Sequence, residues 1–265
     1  MMQLPTLPSV PAEVSRAATA ELRKITAQRA GLLSAPILAA LGFVAATASA
    51  VKGTGPQRDG VLATGTATVG LYLVIAVAVG AAAICGAVAA GDEYRYRSIG
   101  ITAVTTPDRD VLLGAKAVVS AGYALLLAVS AEIGAAIGFA AFGRDTVEFG
   151  ATLTGVFGGG LLAALCWGVI GVALGMLLRS PNLAVVAIAG WLFIVEPLIW
   201  LIAKAAGIAG VVVLLPGSAT IGTVTIGSFA DSPYLPPNAA SAVVLVLWTA
   251  AAGAGAWWYL RTRDL

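Results

Sequence analysis

Residues 61–90 read VLATGTATVGLYLVIAVAVGAAAICGAVAA, thirty positions without a charged side chain. About twenty apolar residues in a helix cross a hydrocarbon layer of about 30 Å. A soluble helix of that length carries a polar face. This stretch carries none, so it reads as a transmembrane span. Similar runs lie at Gly31–Val51, Val111–Phe142, Gly150–Leu178, Leu183–Ala203 and Ala239–Leu260, which makes six. The rest of the composition agrees. Of 265 residues, 59% are hydrophobic and 11% charged, against about 25% charged in a soluble domain. The fold class expected is an all-α integral membrane protein with six transmembrane helices.

The chain divides into residues 1–30 and a six-span body, 31–265. From Pro11 to Arg29 the pattern is amphipathic. Val14, Ala18, Leu22 and Ile25 share one stripe, and Glu13, Arg16, Arg23, Lys24 and Gln28 lie off it. This predicts a helix on the membrane surface, with its bases toward lipid phosphates. No apolar core precedes residue 31, so the segment does not read as a cleaved signal.

Cationic residues concentrate on the cytoplasmic side of membrane proteins. With the N-terminus inside, Arg16, Arg23, Lys24, Arg29, Arg95, Arg97, Arg109, Lys116, Arg179, Arg261 and Arg263 are cytoplasmic, and Lys52, Arg58, Arg144 and Lys204 are not. Six spans then put both termini inside. Trp257, Trp258 and Tyr259 read as an aromatic anchor at the inner boundary. Residues 204–238 form a long outer connection that is largely apolar (VVVLLPGSATIGTVTIGSF), broken by Pro216, Gly217 and Gly227. Short helices at the outer leaflet are expected there. A seventh span would carry Arg261 and Arg263 outside.

Several chemistries are excluded or disfavoured. The chain has no histidine, which removes His-based general bases and HExxH zinc sites. Cys85 and Cys166 lie in apolar stretches and read as packing residues. There is no GxxxxGK[ST] nucleotide loop and no GxSxG elbow, so no ATP hydrolysis or Ser-based catalysis is expected of this chain alone. A net charge of +2 argues for no nucleic-acid partner. Gly168, Gly171 and Gly175 permit close helix packing. Two acids sit within spans, Glu132 and Glu196, and intramembrane acids are candidate functional sites. Pro197, directly after Glu196, removes a backbone donor and bends the helix. The nearest cation to Glu196 in sequence is Lys204.

Residues 91–110, GDEYRYRSIGITAVTTPDRD, hold the densest charge in the chain. From Glu93 through Pro107 and Arg109 to Ala115-Lys116, this segment resembles the first cytoplasmic loop of ABC type-2 exporter permeases. Their pattern is an acid, an arginine, a Gly-Thr-Ile-like stretch, Pro-x-Arg and then Ala-Lys opening span 3. Here Arg97-Ser98 stands where the family often has Gly-Thr. Glu21-Leu-Arg-Lys24 through Arg29 is similar to that family's surface helix. Glu196-Pro197 and Leu215-Pro216 are similar to features of actinobacterial members. The Ala, Gly and Val content fits a high-GC bacterium, and the location implied is a bacterial cell membrane.

The resemblance implies a permease subunit that pairs with a second permease subunit and with a separate cytoplasmic ABC ATPase. ATP and Mg would be bound by that partner, and no cofactor by this chain. A coupling helix within about Asp92–Arg109 would dock on the ATPase, with Glu93, Arg95, Arg97, Pro107, Arg109 and Lys116 as the coupling residues. The activity implied is export of an amphipathic or hydrophobic solute, such as a drug, peptide or lipid, by alternating access. A different class, a proton-coupled secondary transporter, would use Glu132 or Glu196 as its relay.

Overall fold

The computed structural model describes residues 11–56, 62–98, 108–229, 232–235 and 237–262. It is all-helical, 84% helix, without strands among the described residues. Six helices are long and apolar enough to cross a membrane. Pro107, Arg58, Arg263 and residues 99–107, the middle of the expected coupling segment, lie outside the described residues.

A shorter helix, α1 (Ala12–Ala27), precedes the first long helix, α2 (Arg29–Lys52). Gln28 adopts an extended conformation, φ −91° and ψ 130°, and separates them. The remaining long helices are α3 (Val69–Arg95), α4 (Arg109–Phe142) and α5 (Ala151–Leu178). The fifth span is α6 (Pro181–Gly190), one wide turn at Trp191–Val195, and α7 (Glu196–Ala205). A short 3-10 turn at Ala209–Leu214 leads to α8 (Pro216–Val224), and α9 (Asn238–Thr262) is the last span.

Local chemistry sets several of these ends. Asp108 accepts from Asp110 N and Val111 N at the start of α4, which satisfies donors that the helix itself cannot. Ser180 does the same for Leu183 N, with Pro181 in the first turn of α6. Arg97 closes the end of α3 at φ 54°, with Ser98 N donating to Glu93 O. Glycine takes that left-handed conformation most readily.

Helices α3, α4 and α5 form the centre, with 44–61% of their apolar windows buried. The other three spans bury only 11–17% and flank that centre with open apolar faces. The closest contacts use small residues. A Cβ on Gly171 would strike the Ala83 carbonyl of α3, and one on Gly175 the Ala87 carbonyl. Gly42 and Gly134 serve the same purpose between α2 and α4. Without a hydrophobic drive between helices in lipid, such backbone approach supplies the packing. Gly171→Val is therefore expected to destabilise the protein by about 1–3 kcal/mol or more. The check is thermal unfolding in detergent, against Gly114→Ala, whose Cβ meets open space.

Alternation of the spans gathers most charged residues at one end of the bundle. There Arg179 lies over the rings of Tyr94 and Tyr259, at 5.6 and 5.2 Å. Asp110 pairs with Arg261 at 2.5 Å and accepts from Trp257 Nε1 at 2.8 Å. Of the three expected anchor aromatics, two therefore join helices, and Trp258 stays 65% exposed. The described bases Lys52, Arg144 and Lys204 fall at or just beyond the opposite ends of α2, α4 and α7.

Candidate functional site

At the charged end, four side chains from three helices meet. Lys116, on the second turn of α4, is fully buried and reaches Glu21 Oε2 on α1 at 2.8 Å and Glu93 Oε1 on α3 at 3.1 Å. Lys24 on α1 contacts Glu21 Oε1 at 2.6 Å and Glu93 Oε1 at 2.5 Å. Two carboxylates and two ammoniums thus bolt α1 to the helices on either side of residues 99–107.

Burial works against the charge on Glu21, but Lys116 and then Lys24 outweigh it and hold its carboxyl below the ordinary 4.5. Burial likewise opposes the Lys24 ammonium, and Glu21 and Glu93 outweigh it, so Lys24 stays charged above the ordinary 10.5. The lowered acid contributes stability above 4.5 that is lost as pH falls through its folded value. The raised base contributes below 10.5 and is lost as pH rises through its folded value. Release of α1, read by protease cleavage within 12–28, is therefore expected only below about pH 4.5 or above about pH 10.5.

This cluster changes the meaning of several candidate coupling residues. Glu93 is 4% exposed and Lys116 is 0% exposed, so within this chain neither stands on an open docking face. An unpaired charge at these depths is too costly to leave without a partner. Arg109 donates to Leu260 O at 2.5 Å and pins the end of α9. Arg95 and Arg97 are exposed. The buried face of α1 also differs from the expected stripe: Ala17 and Glu21 are buried, whereas Leu22 is 52% exposed. Lys24 reaches the carboxylates of Glu21 and Glu93. The sequence signal for this was Lys116 itself, a lysine inside an apolar span, which demands an acid.

Glu196 lies toward the other end of the bundle. Pro197 has no N–H to continue the helix, and the preceding turn widens, with Glu196 N donating to Trp191 O. Wide turns of this kind recur at functional sites. The Glu196 carboxylate is 2% exposed and fully engaged. Oε1 accepts from Ser218 N at 2.6 Å and Ser218 Oγ at 3.3 Å. Oε2 accepts from Gly217 N at 2.9 Å and Trp191 Nε1 at 3.1 Å. Gly217 N and Ser218 N are first-turn donors of α8, so the carboxylate sits on a helix N-terminus, which favours negative charge. A Cβ on Gly217 would overlap the carboxylate. Lys204, the nearest cation in sequence, is exposed, and the donors at the end of α8 hold the carboxylate instead.

Beside Glu196 is a cavity of about 580 Å³ between α3, α5, the fifth span and α8. Ile75, Val79, Trp167 and Leu192 wall it, and Tyr72 and Thr220 add hydroxyls. Trp167 Nε1 is spent on Thr220 Oγ1 at 2.8 Å. The Trp200 indole N–H, also on the wall, has no hydrogen-bond partner among the described residues. An apolar chamber of this size with a few polar groups suits a small amphipathic molecule.

Glu132 is separate from both places. It is 6% exposed on α4; its Oε1 has no hydrogen-bond partner among the described residues and fills space left by Gly160 of α5. The two intramembrane acids are not brought together: Glu196 holds a helix end, and Glu132 is packed in the central trio.

No protein-family model matches the chain. No curated protein matches it either. The likeness to ABC type-2 permeases thus rests on the residues quoted from the loop, the surface helix and the Glu-Pro pair.

Proposed function

We propose that this chain is the membrane-spanning permease subunit of an ATP-driven ABC exporter. In this reading both termini face the cytoplasm of a bacterial cell, and the charged end of the bundle is cytoplasmic. Two such subunits pair through the open apolar faces of the flanking spans, and a separate ATPase subunit holds ATP and Mg. The observation that carries the reading is the four-charge cluster. It makes α1, the end of α3 and the start of α4 one mechanical unit around the segment that resembles a coupling loop. A push on that segment is then passed to two central spans at once, as alternating access requires. Direct docking falls to exposed Arg95 and Arg97, and Glu93 and Lys116 act as positioning residues. The cavity beside Glu196 is the place for a hydrophobic or amphipathic solute.

Purification of the tagged chain from its native membrane in mild detergent tests this. An ABC ATPase with vanadate-sensitive hydrolysis is expected to accompany it. A chain that purifies without one, and moves solute on a pH gradient alone, overturns the proposal.

One observation favours the proton-coupled reading, namely the unpartnered Oε1 of Glu132. Glu196 does not favour it, since its oxygens are already spent. If Glu132 relays protons, Glu132→Gln abolishes gradient-driven transport. In the ATP-driven reading, Glu132→Gln keeps transport within about twofold of the parent, since an amide of nearly the same shape takes the carboxyl's place in the packing.

A further inference from the structure

We propose that a second cavity, beneath α1, binds a single-tailed cationic amphiphile, with its ammonium at Glu93 and Asp92 and its tail along Val88 and Ile84. This is a claim about binding and stands whether or not the chain is an exporter. The cavity holds about 520 Å³ among α1, α2, α3 and α4. Ile84 is the one described residue it shares with the cavity beside Glu196.

The charge at its mouth decides the class of ligand. Three carboxylates line it, Glu21, Asp92 and Glu93, with one lysine, Lys24. Lys116 stands behind them. The two lysines are spent on both oxygens of Glu21 and on Oε1 of Glu93. Oε2 of Glu93, on a side chain 96% buried, is left without a hydrogen-bond partner among the described residues. Even with Lys116 counted, the group carries one net negative charge. A buried carboxylate oxygen with no donor is costly, and an ammonium supplies the missing donor and charge. A sulfate or phosphate headgroup would meet the carboxylates instead. Phosphatidylethanolamine brings its phosphate with its amine, so a free amine fits better than that lipid.

The wall below is apolar. Asp92, Val88 and Ile84 follow at four-residue spacing, one face of α3 and about 12 Å of helix. Ile25 of α1 faces the same space, with Cys85 beside it. A charged head at one end and a hydrocarbon wall below it describe an amine with one alkyl tail.

Cys85 lines the cavity and is half-buried, whereas Cys166 is 1% exposed, so the chain carries its own reporter and control. The experiment is N-ethylmaleimide labelling of the native chain in phosphatidylcholine nanodiscs, read by mass spectrometry. Dodecylamine is expected to slow Cys85 labelling by about tenfold or more, and dodecyl sulfate or dodecanol at equal concentration is not. Asp92→Asn is expected to weaken protection by dodecylamine. Val88→Trp, which fills the cavity, is expected to leave Cys85 slow with or without the amine. Equal protection by all three probes means bilayer partition and overturns the proposal, as does no protection, or a Cys85 that never labels. Loss of amine protection in phosphatidylethanolamine nanodiscs means the lipid is the occupant and overturns it too.

Discussion

Lys116→Met is expected to lower the stability of the folded chain by about 3–5 kcal/mol, the cost of leaving a buried ion pair half made. Methionine fills much of the lysine volume, so lost packing is a minor part of that figure. The dominant effect is electrostatic. Without Lys116, Glu21 Oε2 loses its ion-pair partner, and Glu93 Oε1 keeps only Lys24. Thermal unfolding in detergent measures the loss, and protease cleavage of α1 locates it. A triple change, Lys116→Met with Glu21→Gln and Glu93→Gln, removes the stranded charges together and is expected to regain a large part of the stability. A Lys116→Met protein that melts like the parent would show that the cluster is not what holds α1.

Glu196→Gln is the second large effect, although it is the mildest replacement by shape. Both carboxylate oxygens accept two donors each. An amide keeps one oxygen and turns the other position into an N–H₂ that faces two donors. Either flip loses two hydrogen bonds and sets donor against donor. The expected cost is about 2–4 kcal/mol, since hydrogen bonds to a charged acceptor are worth about 1.5–3 kcal/mol and orphaned buried donors add to the loss. The start of α8 should loosen, read as faster amide exchange at Gly217 and Ser218. Glu196→Ala should be about as unstable as Glu196→Gln. If Gln keeps parental stability and exchange while Ala does not, shape rather than charge holds the helix.

How far the sequence alone reached depends on the kind of contact. The six spans were legible because a run such as 61–90 shows no polar face; length and composition suffice for that. Five of the six end within two residues of the expected bounds, whereas the second helix begins at Val69 instead of Val61 and runs on to Arg95 instead of Ala90. The same uniformity hid the packing. Lipid and protein interior are equally apolar, so periodicity does not tell which side of α5 meets α3; only glycines such as Gly171 hint at it. The break at Gln28 lies within three residues of the boundary expected between residues 1–30 and 31–265, where the amphipathic pattern gives way to an unbroken apolar run. The partners of the buried charges were hidden for another reason. Lys116 meets Glu21 across 95 residues, and Glu196 meets Ser218 across 22, contacts that tertiary packing alone creates. What could be read was the demand for a partner: a lysine or a glutamate inside a span must find one.

The most direct test of the permease reading is site-specific photo-crosslinking in intact membranes. One crosslinker replaces Arg97, exposed at the charged end, and another replaces Arg144, exposed at the other end. The account predicts that the position 97 probe captures an ABC ATPase subunit, identified by mass spectrometry, and that the position 144 probe does not. Capture of the ATPase at position 144, or of no ATPase at position 97, would contradict it.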